Sequence, residues 1–159
     1  MSEALQEGVP APDFSLPAST GGNIGLAGYK GKQAVVLYFY PRDNTPGCTT
    51  EACAFRDSQP AVQTNDAVVL GVSPDSLGSH EKFTAKLELN FPLLVDQGAE
   101  LAKAYGVWVE KKQYGRSFMG IERSTFLIDK DGVIRKIWRK VKVKDHAAEV
   151  LRALEALGR

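Results

Sequence analysis

Apolar residues in this chain occur in short runs separated by polar segments that contain proline and glycine. Two runs, AVVLYFY (34–40) and AVVLGVS (67–73), are continuous and rich in β-branched and aromatic residues, which is typical of strands buried on both faces of a sheet. Further strands are predicted at 91–96 (FPLLVD), 124–129 (STFLID) and 133–138 (VIRKIW). The last two flank Lys130-Asp131-Gly132, a strong hairpin signal. Two weaker strands are expected on either side of the STGGN turn, within residues 10–32.

Helical spacing of apolar positions marks the segments between these strands. The predicted helices are 48–58, 76–89, 99–106 and 145–157. Pro60 stands where the first helix would otherwise continue, so we expect an end or a kink there. Strands that alternate with helices, followed by a hairpin and a last helix, predict an α/β domain with a mixed central sheet covered by helices on both faces. Ligands in such folds bind beyond the carboxyl ends of strands, which makes the junction at 40–48 a candidate site.

Composition and charge limit the class of protein further. The 159 residues fit a single domain, 1–159, able to bury roughly 70% of its unfolded surface. The net charge is +1, from 20 basic and 19 acidic residues, and no basic stripe suggests a nucleic-acid partner. We recognise no secretion signal and no apolar run long enough to span a membrane. The expected location is cytoplasmic, where a disulfide is more often transient and catalytic than structural.

The two cysteines, Cys48 and Cys53, fall within one predicted helix. A zinc site needs four ligands, and the two histidines each stand alone, so no metal is expected. The C-x4-C spacing also differs from the C-x-x-C of thioredoxin-like reductases. In an intact helix, Cα atoms five residues apart are about 8.6 Å apart and point to different faces, whereas a disulfide requires less than about 7 Å. A bond between these cysteines therefore requires the helix to unwind, which suits a transient disulfide better than a permanent one.

Cys48 lies at the start of its helix, where the macrodipole and unpaired N–H groups favour the thiolate. A low thiol pKa alone does not make a fast enzyme. Lowering the pKa from about 8.5 to about 6 increases the thiolate fraction at pH 7, but the thiolate becomes a weaker nucleophile, so the reaction rate rises only about two- to threefold. Nearby residues could stabilise the transition state. The hydroxyl of Thr45 can donate to a substrate oxygen while accepting from the backbone, Gly47 permits close approach, and Pro41 can screen the sulfur from water. A plain turn at 45–47 beside an inert, buried cysteine is the alternative interpretation.

Pro41, Thr45 and Cys48 match the P-x-x-x-(T/S)-x-x-C signature of the peroxiredoxins. A second cysteine five positions later resembles the peroxiredoxin Q group, also called bacterioferritin comigratory protein. The similarity runs from GVPAPDFSLPASTGG to the closing helix and includes RSTFLIDKDGVIR. By this resemblance the fold is expected to be thioredoxin-like with an N-terminal β extension.

The resemblance implies a peroxidase that reduces hydrogen peroxide and organic hydroperoxides to water or alcohols. Cys48 would become a sulfenic acid, and Cys53 would resolve it as an intrachain disulfide. Thioredoxin or a similar dithiol would then reduce the disulfide. Thr45, Arg123 and the N–H groups of Gly47 and Cys48 would hold the peroxide. No metal, haem or flavin is required, and because the disulfide is intrachain a monomer is expected, with a weak homodimer as the alternative.

Arg42 and Arg56 are rivals of Arg123 as the cationic partner, since both are nearer to Cys48 in sequence. Each could equally be a solvated surface arginine. Glu51, three residues after Cys48, could pair with an arginine or simply support the helix.

Two further interpretations belong to other functional classes. One is a thiol–disulfide oxidoreductase acting on protein disulfides, which the C-x4-C spacing and Thr45 disfavour. The other is a binding or holdase protein with inert cysteines. Trp108, Tyr114 and Phe118 border a polar segment at 110–120 and could form a hydrophobic collar for alkyl peroxides or serve a structural role.

Overall fold

A computed structural model of the chain describes residues 5–157. Its strands are β1 Ser15–Pro17, β2 Asn23–Gly25, β3 Ala34–Phe39, β4 Ala67–Ser73, β5 Leu93–Val95, β6 Trp108–Gln113, β7 Arg116–Ile121, β8 Ser124–Ile128 and β9 Ile134–Trp138. Its helices are α1 Pro46–Asp57, α2 Gln59–Thr64, α3 Leu77–Leu87, α4 Glu100–Ala104 and α5 His146–Leu157. The strands and helices predicted from the apolar pattern are confirmed, with shifts of a few residues at their ends.

Strand β3 lies at the centre of the main sheet because all six of its residues are apolar and buried. Within residues 5–157 this sheet has five strands in the order β5-β4-β3-β8-β9. Strands β3, β4 and β5 run parallel, whereas β8 pairs antiparallel with both β3 and β9. The predicted mixed sheet is therefore confirmed, and β1 and β2 form the separate N-terminal hairpin that was expected.

Alternate side chains of β3 contribute to two hydrophobic clusters, one on each face of the sheet. Leu37 and Phe39 pack with residues of α4 and of the N-terminal segment. Tyr38 and the following Tyr40 pack with residues of α1, α2, α3 and α5. Helices thus cover both faces, and the cysteine-bearing helix α1 lies on the second. Within the described part of the chain, none of the helices has both the length and the apolar character that crossing a bilayer requires.

The break expected at Pro60 is confirmed. Helix α1 ends at Asp57 and α2 begins at Gln59, with Pro60 in its first turn, where a missing N–H group costs nothing. The hydroxyl of Ser58, between the two helices, donates to the carbonyl of Ala54 at 2.8 Å.

Segment 108–121, to which the sequence analysis assigned no strand, forms an antiparallel hairpin of β6 and β7. Tyr114 and Gly115 make the turn with φ values of 53° and 73°, the backbone that two-residue hairpin turns require. Tyr114 is 94% exposed, whereas Trp108 packs against the cluster that contains Leu37 and Phe39. These two aromatic residues therefore do not form a common collar.

We expect Gly71→Ala to destabilise the fold by about 1–3 kcal/mol through overpacking. Gly71 pairs with Tyr38 on one side and Leu93 on the other, and a Cβ atom there would lie 2.9 Å from the Tyr38 hydroxyl oxygen and 2.8 Å from Leu93 Cδ2. Gly28→Ala is the control, since nothing lies within 4 Å of a Cβ at that position. Urea unfolding of both variants measures the difference. Equal stabilities would contradict this packing.

Candidate active site

The loop from β3 to α1 ends at Thr45, which is the N-cap of α1 in an extended conformation (φ −97°, ψ 156°). Pro46 is the first helical residue, a position that proline favours. The Thr45 hydroxyl does not cap the helix but donates to the carbonyl of Arg42 at 3.0 Å. Among residues 5–157, therefore, no group accepts from the N–H of Gly47 or Cys48, and both remain available at the positive end of the helix.

This arrangement reverses one expectation for Thr45. From the sequence, the Thr45 hydroxyl was expected to donate to a substrate oxygen and to accept from the backbone. Because a carbonyl oxygen can only accept, the hydroxyl proton lies toward Arg42, and the free lone pairs of Thr45 make it an acceptor.

Cys48 is 1% exposed, and Arg123 Nη2 donates to its Sγ atom at 3.2 Å. The two residues are 75 positions apart and meet because of strand register. Strand β8 pairs antiparallel with β3 so that Ser124 lies opposite Phe39, which brings Arg123 to the carboxyl end of β3, where α1 begins. The N–H of Val141 donates to the Arg123 carbonyl at 2.9 Å and fixes the backbone there.

Gly47 packs directly against this guanidinium. A Cβ atom at position 47 would lie 3.2 Å from Arg123 Nη2, closer than most real contacts of this kind. A side chain at this position would push against the cation that contacts Cys48.

Arg123 also binds Glu51, which lies on the same face of α1 as Cys48. The Nη1 atom of Arg123 donates to Glu51 Oε1 at 2.5 Å, while Oε2 is buried and has no hydrogen-bond partner in the described part of the chain. Burial raises the pKa of Glu51 to about 7, against the opposing effect of Arg123. One guanidinium is thus shared between a thiol and a carboxyl group.

The two rival arginines lie elsewhere. Arg56 pairs with Asp57 at 2.9 Å and donates to the carbonyl of Leu87 at 2.6 Å, and Arg42 is exposed. Among residues 5–157, the hydrogen bond to the Cys48 sulfur comes from Arg123.

Cys53 is partly buried, and both cysteines are free thiols in one continuous helix. The helical geometry considered above therefore applies, and the pair cannot bond without a change in the backbone. Pro41 is half-buried at the start of the loop that leads to Cys48.

Tyr38 is a neighbour that the sequence analysis did not single out. Burial, followed by the charges of Glu51 and Cys48, raises its pKa well above the usual value. Its hydroxyl is buried without a hydrogen-bond partner among the described residues. The sequence predicts that Tyr38 belongs to β3. Its proximity to Cys48 and Glu51, however, depends on how α1 packs on the sheet.

The family model described as the AhpC/TSA family matches residues 8–137 of the chain. The chain belongs to the AhpC/TSA family. Peroxiredoxin Bcp of Bacillus subtilis is 56% identical over 151 residues, which are 95% of this chain and 96% of that protein. The putative peroxiredoxin bcp of Coxiella burnetii is 48% identical and covers 93% of this chain and 97% of its own.

Solved structures of peroxiredoxins agree with this assignment. A mutant of PrxQ from Xylella fastidiosa has a TM-score of 0.92 at 42% identity and covers 99% of this chain and 100% of its own. The bacterioferritin comigratory protein of Xanthomonas campestris, described for its alkyl peroxide reduction activity, has a TM-score of 0.87 at 44% identity over 92% of each chain. The peroxiredoxin Q resemblance and the thioredoxin-like fold are therefore confirmed. As a peroxiredoxin, the protein is a thiol-dependent peroxidase.

Stability should depend on pH through Glu51. Its pKa is raised from 4.5 to about 7 in the folded state, so its favourable contribution is fully present below about pH 4.5 and is lost as the pH rises through about 7. Relative to Glu51→Gln, the unmodified chain should lose on the order of 2–3 kcal/mol of unfolding free energy between pH 5 and pH 8. Urea unfolding across that range measures the difference. Glu155 is exposed, so Glu155→Gln should show the same pH dependence of the unfolding free energy as the unmodified chain. If Glu51→Gln also showed that pH dependence, the raised pKa of Glu51 would be refuted.

Proposed function

We propose that Cys48 is the peroxidatic residue of this peroxidase and that Cys53 resolves it within the same chain. The main support is the contact between the Arg123 guanidinium and the buried Cys48 sulfur at a helix N-terminus. An adjacent cation and the helix dipole both favour the thiolate, which is the nucleophilic form.

The first step is attack of the thiolate on the terminal oxygen of the hydroperoxide. An S–O bond forms as the O–O bond breaks, and two electrons pass from sulfur to the peroxide. Thr45 accepts a hydrogen bond from the hydroperoxide O–H, consistent with its own hydroxyl donating to the Arg42 carbonyl. Arg123 and the free N–H groups of Gly47 and Cys48 stabilise negative charge on the leaving oxygen. That oxygen takes up a proton and leaves as an alcohol or water, and Cys48 remains as the sulfenic acid.

In the second step the Cys53 thiol attacks the sulfenic sulfur and water leaves. A neutral sulfenic acid no longer pairs with Arg123 as a thiolate does, which weakens the attachment of the first turn of α1. The last turn stays fixed, because Phe55 is buried in the core and Arg56 donates to the Leu87 carbonyl. We therefore propose that α1 unwinds from its N-terminal end.

A dithiol must reduce the resulting disulfide, and we propose that thioredoxin supplies it. We also propose that organic hydroperoxides are substrates beside hydrogen peroxide, in line with the alkyl peroxide reduction described for the Xanthomonas campestris relative. All the residues of this cycle come from one chain, so a monomer consisting of one domain is sufficient. We also propose that the protein acts in the cytoplasm.

The burial of Cys48 argues against the alternative activity on protein disulfides. Cys48 is 1% exposed, so a disulfide on a folded protein cannot approach its sulfur without rearrangement of the loop, whereas a peroxide is far smaller. Iodoacetamide and hydrogen peroxide are both small molecules, so the reactivity of the Cys48 sulfur can be measured with each of them separately.

Cys53→Ser should reduce one equivalent of peroxide per chain and then stop, because its sulfenic acid has no resolving thiol. Steady-state turnover with thioredoxin, thioredoxin reductase and NADPH should be lost, and excess peroxide should produce the sulfinic acid. Mass spectrometry of the unmodified chain after one equivalent should find residues 48 and 53 joined. Cys48→Ser is the control that should consume no peroxide. Normal turnover by Cys53→Ser would exclude Cys53 as the resolving residue.

Arg123→Ala should slow Cys48 oxidation by on the order of 100-fold, the usual cost of losing one donor to a developing oxyanion. A change in thiol acidity explains only about two- to threefold of such a loss. Stopped-flow oxidation gives the rate, and thiolate absorbance against pH gives the acidity of Cys48. Exposed Arg42→Ala should match the unmodified chain. A rate loss in Arg123→Ala accounted for entirely by thiol acidity would contradict the assigned role.

A further inference from the structure

A second buried polar cluster lies beside the loop that leads to Cys48, and the reaction above makes no use of it. It is formed by Tyr40, Asp43, Ser79 and His80. His80 is fully buried, and Asp43 is 7% exposed. Oδ1 of Asp43 accepts from the Tyr40 hydroxyl at 2.6 Å, and Oδ2 accepts from the Ser79 hydroxyl at 2.8 Å and faces His80 Nδ1 at 2.7 Å.

Both ring nitrogens of His80 lie within hydrogen-bond distance of a partner. Nε2 lies 2.8 Å from the carbonyl oxygen of Leu94, which can only accept, so Nε2 bears a hydrogen. Nδ1 and Asp43 Oδ2 are 2.7 Å apart, so a proton lies between them as well. Burial raises the pKa of Asp43, but the hydrogen bonds from His80, Tyr40 and Ser79 together hold it below its usual value. His80 is therefore held at both ring nitrogens, and Asp43 at both carboxylate oxygens.

The same cluster is closed to a metal ion. Ligand atoms of Asp43, Asp75 and His80 lie within 4.8 Å of one another. However, both oxygens of Asp43 and both nitrogens of His80 already take part in hydrogen bonds. Oδ2 of Asp75 accepts from the Asp43 N–H at 2.7 Å and from the Ser73 hydroxyl at 2.6 Å. The arrangement is a satisfied hydrogen-bond network that joins four segments of the chain.

These contacts fix the β3–α1 loop immediately before Thr45. Asp43 is held by its side chain to α3 and by its N–H group to Asp75 at the end of β4. Asn44 follows in the left-handed region at φ 63°, and its side-chain oxygen accepts from Lys86 of α3 at 2.6 Å. The chain then turns into Thr45 and the free N–H groups of α1. Cys48, by contrast, is held from the other side by Arg123 of the β7–β8 connection.

We infer that Asp43 and His80 are positioning residues for the peroxide site, because their buried hydrogen bond ties the loop to α3 and so sets where the Thr45 hydroxyl lies relative to the Cys48 sulfur. This inference rests on the proposed function. Displacing the loop would move Thr45 while leaving the thiol and its guanidinium partner in contact. Errors of about 1 Å in such positioning cost about 100-fold in rate.

The test compares two reagents on the same sulfur. In a Cys53→Ser background, Asp43→Asn should lower the rate constant for Cys48 oxidation by hydrogen peroxide by about 10- to 100-fold. Alkylation of Cys48 by iodoacetamide needs the thiolate but no groups that hold a peroxide, and it should change less than about threefold. His80→Gln should show the same division. The double variant should lose no more than either single one, because the two residues act as a unit.

Ile134→Val is the control for general destabilisation, since Ile134 is buried in β9 within the cluster on the opposite face of the sheet from Cys48. It should slow neither reaction.

Two outcomes would overturn the inference: peroxide and iodoacetamide rates that fall together, or full additivity in the double variant. If the Cys53→Ser parent itself fails to react with peroxide, the proposed function fails instead, independently of Asp43 and His80.

Discussion

The site depends on one cation that serves two buried acidic groups. The Arg123 guanidinium contacts the Cys48 sulfur and the Glu51 carboxyl through different nitrogens, an arrangement that its planar fork permits and a lysine could not reproduce. Both residues are 1% exposed, and because an unpaired buried charge is costly, the guanidinium offsets part of the cost of ionising Glu51. The carboxyl group also keeps the guanidinium in place. The central sheet supports this contact, because the register of β3 with β8 determines where Arg123 lies.

Most of the fold could be predicted because its central strands are buried on both faces. Strands β3 and β4 are continuous apolar runs, a signal that does not depend on alternation. Helix α1 begins two residues before the predicted start, at Pro46, since proline is tolerated in a first turn. Hairpin β6–β7 escaped prediction because most of its residues are exposed or half-buried and polar, so apolar periodicity was absent. Its turn residues, Tyr114 and Gly115, were the available signal.

The site was predictable only where it is local in sequence. Thr45, Gly47 and Cys48 belong to one short segment, and reasoning about a helix N-terminus singled them out. Arg123 came from the family resemblance, because no pattern in the residues reveals a contact across 75 positions. His80 looked isolated in the sequence, and its partner Asp43 is 37 positions away. The acceptor to which the Thr45 hydroxyl donates depends on the path of the loop, which the structural propensities of its residues do not specify.

The contact between Gly47 and Arg123 has an electrostatic consequence. Gly47 has no side chain and no charge, yet a Cβ atom there would lie 3.2 Å from Arg123 Nη2, so the guanidinium would have to shift by a few tenths of an ångström. The space at this one position therefore affects where the cation lies relative to the thiol. A larger residue at position 47 would change a charged contact although no ionisable group changes.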